Sequence, residues 1–370
     1  GGWAIYKLIE VLWPGIATLP QILPAFVGLN TGEFLCFMLF WAMNVWIVLR
    51  GMDSIKFLET WGSPFLLAVG VALFIWALVR AGGFGPMLEN PGGQAVGRSG
   101  GLTQIFGAGL TSAVAFWGTM ALSIPDFSRY ARSQKDQLVG QAVGLPGTMA
   151  LFAFIGAAVT NATVVIFGTR IADPVALLAR IGGPLMIMLS MAGLIVATLT
   201  TNIAANIVAP ANAFSNLAPH KITFKQGAMV TAVIGILMMP WRLYNDAAAY
   251  IFTWLIGYGA LLGPVAGIMI ADYFLLRQGE LVLNDLYRRH GAYEYARGIN
   301  WIAMGALAIG VAPSLPGFVS ALRGVPERGV FGTFYNWAWF AGFFISALVY
   351  VLGMKLGAGS RERGAVPSNA

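Results

Sequence analysis

Uncharged apolar runs recur along the whole sequence, and several exceed about 18 residues, the length that crosses a bilayer as an α-helix. Hydrophobic residues make up 58% of the chain and charged residues 10%, with a mean hydropathy of +0.74. This balance excludes a water-soluble globular protein. We therefore predict an all-α membrane protein with ten membrane segments: 3–24, 33–48, 64–79, 105–130, 145–167, 185–209, 227–240, 250–275, 301–319 and 334–356.

The start of the sequence and the distribution of its charges predict how the chain is organised. Gly1-Gly2 is not an initiator and no signal peptide is recognisable, so we interpret the sequence as a piece that lacks its N-terminus. With the polar turn at 50–56 placed in the cytoplasm, fourteen Lys and Arg residues fall on that side and seven on the other. The positive-inside rule supports this orientation. It divides the chain into a transmembrane domain, 1–356, and a cytoplasmic C-terminal tail, 357–370.

Few residues are suited to catalysis or to metal binding. The chain has one cysteine, Cys36, and two histidines, His220 and His290, which lack the partners that metal binding or general-base catalysis requires. Asp272 lies close enough to Arg277 in sequence to form a structural ion pair. The net charge of +7 comes from Lys and Arg scattered through short loops, which does not indicate nucleic-acid binding. We predict a protein that is not an enzyme and carries no cofactor.

A polar stretch interrupts one apolar segment, reading LIVATLTTNIAANIVAPANAFSNL over 194–217. Nine of its residues, 198–206, include five hydroxyl or amide side chains: Thr198, Thr200, Thr201, Asn202 and Asn206. Such groups are costly in hydrocarbon unless they face protein, water or a ligand. On an α-helix Ala197, Thr200 and Thr201 share one face, and Asn206 lies ~140° round from Thr201 and ~7.5 Å further along. The spacing predicts two small polar sites on one helix. The alternative is that these groups join neighbouring helices.

The fourth predicted segment carries helix-breaking signals in its middle. Ser123-x-x-Asp126 matches a capping box, and Pro125 cannot donate a hydrogen bond to the preceding turn. With Gly118 as the end of the first half, the pattern predicts a discontinuous helix, which transporters use to build substrate and ion sites. A proline kink is the alternative. Trp117, beside the predicted break, is suited either to stack on a flat ligand or to pack between helices.

Three stretches of the sequence resemble motifs of the nucleobase:cation symporter-1 family, the permeases for uracil, purines, allantoin and hydantoins. They are FWGTMALSIPDFSRYARS at 116–133, TLTTNIAANIVAPANAFSNLAP at 198–219 and PWRLYNDAAAYIFTWLIGYGALLGPVAGIMIADYFLLR at 240–277. The similarity extends over almost the whole chain apart from its tail. It implies an inverted-repeat transporter fold of five plus five helices, with helices one, two and part of three absent from this sequence.

The resemblance also implies which residues bind the substrate. Trp117 matches the tryptophan that stacks on a planar substrate ring, and Asn206 matches the asparagine that hydrogen-bonds this ring. Phe116 and Gly118, on either side of Trp117, are further substrate-binding candidates. Phe116 stands where some members of the family have glycine, which narrows the expected pocket.

A cation site is implied in the same way. Ala197, Thr200 and Thr201 match positions that supply a carbonyl and two hydroxyl oxygens to sodium, and oxygen ligands suit a hard cation. The coupling ion is Na⁺ or H⁺, because several relatives use protons. The function implied is cation-coupled import of a planar nitrogen heterocycle (a nucleobase, allantoin or a hydantoin) by a monomer in the lipid bilayer of the cytoplasmic membrane.

Two other functions remain open on the sequence alone. One is an amino-acid permease of the same architecture, although Trp117 together with Asn206 suits a flat imide or ureide better. The other is an uncoupled facilitator or channel. A channel requires polar residues along several membrane segments, whereas this sequence concentrates them in two.

Overall fold

A computed structural model of the chain describes residues 1–88, 102–244, 250–288, 290–325 and 329–364. These ranges are mostly helical and contain no β-strand. The two longest connections, 13–30 and 277–300, contain short 3₁₀ turns at Pro14–Thr18, Ala25–Val27 and Leu283–Tyr287. The helices are α1 (Gly2–Leu12), α2 (Thr31–Arg50), α3 (Met52–Arg80), α4 (Phe84–Leu88), α5 (Leu102–Ser123), α6 (Pro125–Ser128), α7 (Gln134–Phe167), α8 (Pro174–Leu178), α9 (Pro184–Leu217), α10 (Phe224–Leu237), α11 (Pro240–Tyr244), α12 (Tyr250–Leu276), α13 (Trp301–Leu322), α14 (Val330–Asn336) and α15 (Ala338–Gly364).

Seven helices in the described ranges are long and apolar enough to cross a bilayer, namely α2, α3, α7, α9, α12, α13 and α15. Each overlaps one of the ten predicted segments, so the prediction of an all-α, multi-pass membrane protein is confirmed. The segment at 227–240 contains the apolar but shorter α10, of 14 residues. The first predicted segment contains the 11-residue α1, which ends at Leu12, before Pro14, and a 3₁₀ turn at Pro14–Thr18.

Several helices extend beyond the apolar runs that predicted them. α3 begins at Met52, so the predicted polar turn at 50–56 is reduced to Gly51, whose φ of +100° is one that glycine adopts without strain. α15 continues to Gly364, so the first part of the predicted tail is helical, while 365–370 lie outside the described residues. A helix satisfies its own backbone hydrogen bonds, so it need not end where the apolar run ends.

The helices form two compact units. Unit 1 comprises α1 to α4 and α6 to α10, and unit 2 comprises α5 and α12 to α15. In unit 1, α9 packs against α1 and α3. One of its cores joins Ile5 of α1 and Cys36 of α2 to Met191, Ile195 and Leu199 of α9. The polar stretch of α9 is therefore carried by a helix that is anchored on several sides.

Unit 2 is held together by close contact between α12 and α15. A Cβ added at Gly263 of α12 would overlap the carbonyl oxygen of Trp339, and one added at Gly267 would overlap that of Phe343. Glycines four residues apart let two helix backbones approach closely, which is a common means of packing in membranes. Ser346 of α15 closes the contact by donating a hydrogen bond to the carbonyl of Pro264, at 2.9 Å.

The fourth predicted segment is interrupted, but not at the predicted position and without the predicted cap. The break lies between α5 and α6 at Ile124, immediately before Pro125, which has no N–H to continue the helix. Gly118 lies inside the unbroken α5 and does not end a helix. α6 has no side-chain cap, and Asp126 instead pairs with Arg129, with 3.1 Å between Oδ1 and Nη2.

Candidate functional site

The polar stretch of α9 contains a π-helical turn at Ile203–Val208. Pro210 explains the turn, because it has no N–H to donate to the carbonyl of Asn206 and its ring crowds that carbonyl in a regular α-helix. A π turn holds an extra residue, so it rotates every later side chain relative to the α-helical spacing. The angle of ~140° between Thr201 and Asn206, worked out for an ideal α-helix, is therefore wrong. Asn206 itself lies within this turn and is exposed.

Asn206 is the end of a chain of side-chain amides within unit 1. Its Nδ2 donates to Oδ1 of Asn202 at 2.9 Å, and Nδ2 of Asn202 donates to Oδ1 of Asn44 on α2 at 3.0 Å. Asn44 is buried and donates in turn to the carbonyl of Phe40 at 2.7 Å. The bond between Asn206 and Asn202 is the i, i+4 contact that their spacing allows on a helix. Asn44 was not among the predicted site residues. The feature of the sequence that could have indicated it is an amide side chain inside the apolar segment 33–48.

The three candidate cation ligands lie at the start of the same polar stretch. The hydroxyl of Thr200, which is only 1% exposed, donates to the carbonyl oxygen of Ala197 at 2.8 Å. This contact places two of the three expected oxygens side by side, whereas Thr201 is exposed on the helix surface. All three are neutral oxygen donors, which suits a hard monovalent cation and not a transition metal.

A glycine on α3 brings that helix against the candidate cation ligands. A Cβ added at Gly62 would overlap Cγ2 of Thr200 and would lie 3.3 Å from its Cβ. Close approach of this kind requires a residue without a side chain. The contact is between residues 138 positions apart in sequence, so no local pattern indicates it.

Unit 2 contains the other substrate candidates, all on α5. Trp117 is half-buried, and its indole Nε1 is buried without a hydrogen-bond partner among the described residues. Its ring meets the exposed ring of Phe116 edge-on, with centroids 5.5 Å apart. Gly118 is buried, and a Cβ added there would lie 2.8 Å from Cζ3 of Trp339. The three candidates thus lie together, with Gly118 turned towards α15.

A polar cluster around Asp272 in unit 2 is structural. Nε of Arg277 lies 2.6 Å from Oδ2 of Asp272, which confirms the predicted ion pair. The hydroxyl of Tyr350 donates to the other carboxylate oxygen at 2.8 Å. Asn300 donates to that same hydroxyl at 3.2 Å. Every oxygen of Asp272 is thereby occupied by a partner, so this carboxylate ties α12, α15 and the start of α13 together.

These helices and polar groups define a multi-pass membrane protein with candidate functional side chains on α5 and on the π-bulged α9. The model of the family described as permeases for cytosine/purines, uracil, thiamine and allantoin matches residues 1–353. The chain is 44% identical over 358 residues to the purine-uracil permease NCS1 of Arabidopsis thaliana, covering 95% of this chain and 58% of that protein. It is 40% identical over 361 residues to the allantoin permease of Bacillus subtilis, covering 96% and 70%.

A solved structure shows the same architecture. The structure of Mhp1, a nucleobase-cation-symport-1 family transporter, in a closed conformation with bromovinylhydantoin bound, matches with a TM-score of 0.68 and 27% identity. The match covers 97% of this chain and 73% of that one. This chain therefore belongs to the nucleobase:cation symporter-1 family and has its inverted-repeat transporter fold. It spans between 58% and 73% of the length of these relatives.

Proposed function

We propose that the protein imports a planar nitrogen heterocycle across the cell membrane together with a cation. The observation that supports this proposal is the polar stretch of α9, where the hydrogen-bonded oxygens of Ala197 and Thr200 are followed by an amide chain ending at the exposed Asn206. The relatives are permeases for purine and uracil or for allantoin, and Mhp1 is a transporter with a hydantoin bound. A nucleobase, allantoin or a hydantoin is accordingly the proposed substrate.

The proposed substrate contacts follow from the hydrogen-bonding groups that remain free. One N–H of the Asn206 amide is used by Asn202, which leaves Oδ1 to accept from a ring N–H and the second N–H to donate to a ring carbonyl. Trp117 supplies an aromatic face for stacking and an unpartnered indole N–H. Phe116 and Gly118 flank this ring, Phe116 limiting the space beside it. The roles of Trp117 and Asn206 are proposed separately, since the two residues belong to different units.

The proposed coupling cation is bound by the carbonyl oxygen of Ala197 and by the hydroxyls of Thr200 and Thr201. Na⁺ is the favoured ion, because the donors are neutral oxygens, and H⁺ is the alternative. We further propose a monomer in the lipid bilayer that has no catalytic centre, no cofactor and no nucleic-acid partner.

The test separates substrate binding from cation binding on α9 in the full-length protein. Losing one buried hydrogen-bond partner costs ~1–3 kcal/mol, which is roughly 5- to 150-fold in affinity. Asn206→Ala is expected to weaken substrate binding by about this factor and to leave cation binding nearly unchanged. Thr201→Ala is expected to weaken cation binding, and to lower substrate affinity only at subsaturating cation, because coupling is reciprocal.

The measurement is substrate titration at low and at saturating Na⁺, repeated with protons as the varied ion, over uracil, purines, allantoin, hydantoins and amino acids. If Thr201→Ala loses substrate affinity equally at all cation concentrations, its hydroxyl belongs to the substrate pocket. If neither ion affects the wild type, the protein is an uncoupled facilitator. Selective binding of amino acids would assign it to that class of permease instead.

A further inference from the structure

Glu59 is an acidic residue inside a helix that is long and apolar enough to cross a bilayer. It lies on α3 outside the predicted segment 64–79. Oε1 of Glu59 is buried and has no hydrogen-bond partner among the described residues, and no ion pair in those residues includes Glu59. An ionisable group in such a position is costly to keep charged, and is typically found on ion or proton pathways.

Two contacts on either side of Glu59 establish which way it faces. Ile55, Glu59 and Gly62 have i, i+4 and i+7 spacing, which places them on one face of α3. Ile55 packs in a buried cluster with Ile203 of α9, and Gly62 lies against Thr200 of α9. Glu59 therefore faces the polar stretch of α9, about one helical turn (~4.5 Å along the axis) from the level of Thr200.

The helices around Glu59 offer it no positive partner. α9 carries no charged or titratable residue. α2 carries Glu33, which caps its N-terminus, then Cys36 and Arg50, and the guanidinium of Arg50 lies 4.0 Å from the centre of the Trp46 ring. α7 has such groups only at its start and α3 only near its ends. These are Lys135 and Asp136 on α7, and Asp53, Lys56 and Arg80 on α3.

The nearest of these cations in sequence is Lys56, and it is engaged elsewhere. Its ammonium lies 4.2 Å from the centre of the Tyr130 ring, in a cation–π contact. Arg129, beside Tyr130, pairs with Asp126.

α10 joins the Ile55 cluster through Phe224 and Ala228 and carries Lys225, which forms no ion pair with Glu59 among the described residues. A carboxylate at Glu59 consequently has no ion-pair partner within the described part of unit 1. Two neutral arrangements are available to it: the protonated acid, or the carboxylate with a cation bound at the neighbouring oxygens.

We propose that Glu59 is a proton-binding site coupled to the cation site of Ala197, Thr200 and Thr201. When the cation is bound, its charge favours the carboxylate, and the proton of Glu59 leaves to water. When the cation departs, the carboxylate takes up a proton from water, so the pair stays close to neutral throughout. This inference rests on the cation site of the proposed function, and adds to it a competing proton and a residue that holds it.

The coupling predicts a linked pH dependence of cation binding. If a proton must leave Glu59 before Na⁺ binds, Na⁺ affinity falls by at most tenfold for each unit by which the pH drops below the pKa of this group. Each unit by which cation binding lowers the pKa of this carboxyl corresponds to a tenfold gain in cation affinity. Glu59→Gln, which keeps the shape and removes the charge, is therefore expected to bind Na⁺ about tenfold or more weakly, and with an affinity independent of pH.

The experiment uses the purified full-length protein in detergent, without substrate, in weakly buffered solution that contains a pH indicator. Adding Na⁺ to the wild type is expected to release up to one proton per molecule, and adding it to Glu59→Gln to release none. Asp53→Asn, at the exposed start of the same helix, is the matched control and is expected to behave as the wild type. Na⁺ affinity is measured in parallel from Na⁺-dependent thermal stabilisation at several pH values.

Each outcome decides for or against the inference. Na⁺ binding by the wild type without proton release overturns it and leaves the proposed function intact. Unchanged proton release or an unchanged pH dependence in Glu59→Gln overturns it as well. A wild type that does not respond to Na⁺ at all overturns the cation site and the inference together. Should Glu59→Gln fail to fold, Glu59→Asp keeps a carboxyl and is expected to retain release with a shifted pH midpoint, and an unshifted midpoint contradicts the proposal.

Discussion

Gly62 is the position where α3 lies directly against a candidate cation ligand, and a single methyl group added there has a calculable consequence. In Gly62→Ala the new Cβ overlaps Cγ2 of Thr200, 3.3 Å from its Cβ and 3.7 Å from its hydroxyl oxygen. Thr200 has no open space to move into, because it is 1% exposed and its hydroxyl is bonded to Ala197. Overpacking of this kind costs ~1–3 kcal/mol.

A second glycine supplies a matched control on the same pair of helices. A Cβ added at Gly193 of α9 would meet Cζ of Phe65 on α3 at 3.5 Å, an ordinary van der Waals contact. Both alanine variants gain up to ~1 kcal/mol of helix propensity, and this gain cancels when they are compared with each other. In reversible unfolding in detergent, Gly62→Ala is expected to be ~1–3 kcal/mol less stable than Gly193→Ala.

The same overlap is expected to weaken cation binding, since relieving it turns the Thr200 hydroxyl away from Ala197. A change of ~1–3 kcal/mol corresponds to roughly 5- to 150-fold in Na⁺ affinity. Thr200→Ser removes Cγ2 and keeps the hydroxyl, so adding it to Gly62→Ala is expected to restore stability, with a favourable interaction energy of ~1–3 kcal/mol in the double-mutant cycle. This reasoning is refuted if Gly62→Ala proves as stable as Gly193→Ala. It is also refuted if adding Thr200→Ser to Gly62→Ala does not restore the stability.

Two further predictions concern substrate recognition, each measured by substrate titration and uptake in the full-length protein. Aromatic stacking contributes ~0.5–1.5 kcal/mol beyond the burial of apolar area. Trp117→Phe is therefore expected to keep weak substrate uptake, and Trp117→Ala to lose it. If Trp117→Ala binds substrate with wild-type affinity, Trp117 serves only in packing. Asn44→Leu removes the oxygen that accepts a hydrogen bond from Asn202, and Asn202 in turn positions Asn206. This variant is expected to weaken substrate binding by ~1–3 kcal/mol or less and to leave Na⁺ binding unchanged. Unaltered substrate affinity in Asn44→Leu would show that Asn206 is positioned without this chain.

The sequence by itself determined the features of this protein that depend on short stretches of chain. A helix in a membrane bonds only within itself, so an apolar run of sufficient length is enough to predict one, as for α12. Pairs one turn apart follow from helix geometry in the same way. Lys7 and Glu10 form the ion pair that their i, i+3 spacing allows, at 2.7 Å. The polar stretch of α9 could also be identified from the sequence, because hydroxyl and amide side chains are costly to place in hydrocarbon.

Only the tertiary structure decided which of these polar groups meet and what surrounds them. The π turn at Ile203–Val208 and the break at Ile124 depend on how a helix accommodates proline, which admits several solutions: a widened turn in one helix and an interruption in the other. Asn44, Gly62 and Glu59 are more than 130 residues from the part of α9 that they face. These three residues meet α9 only because the helices pack together. Sequence spacing could not predict these contacts, because it indicates only which residues are neighbours along one helix.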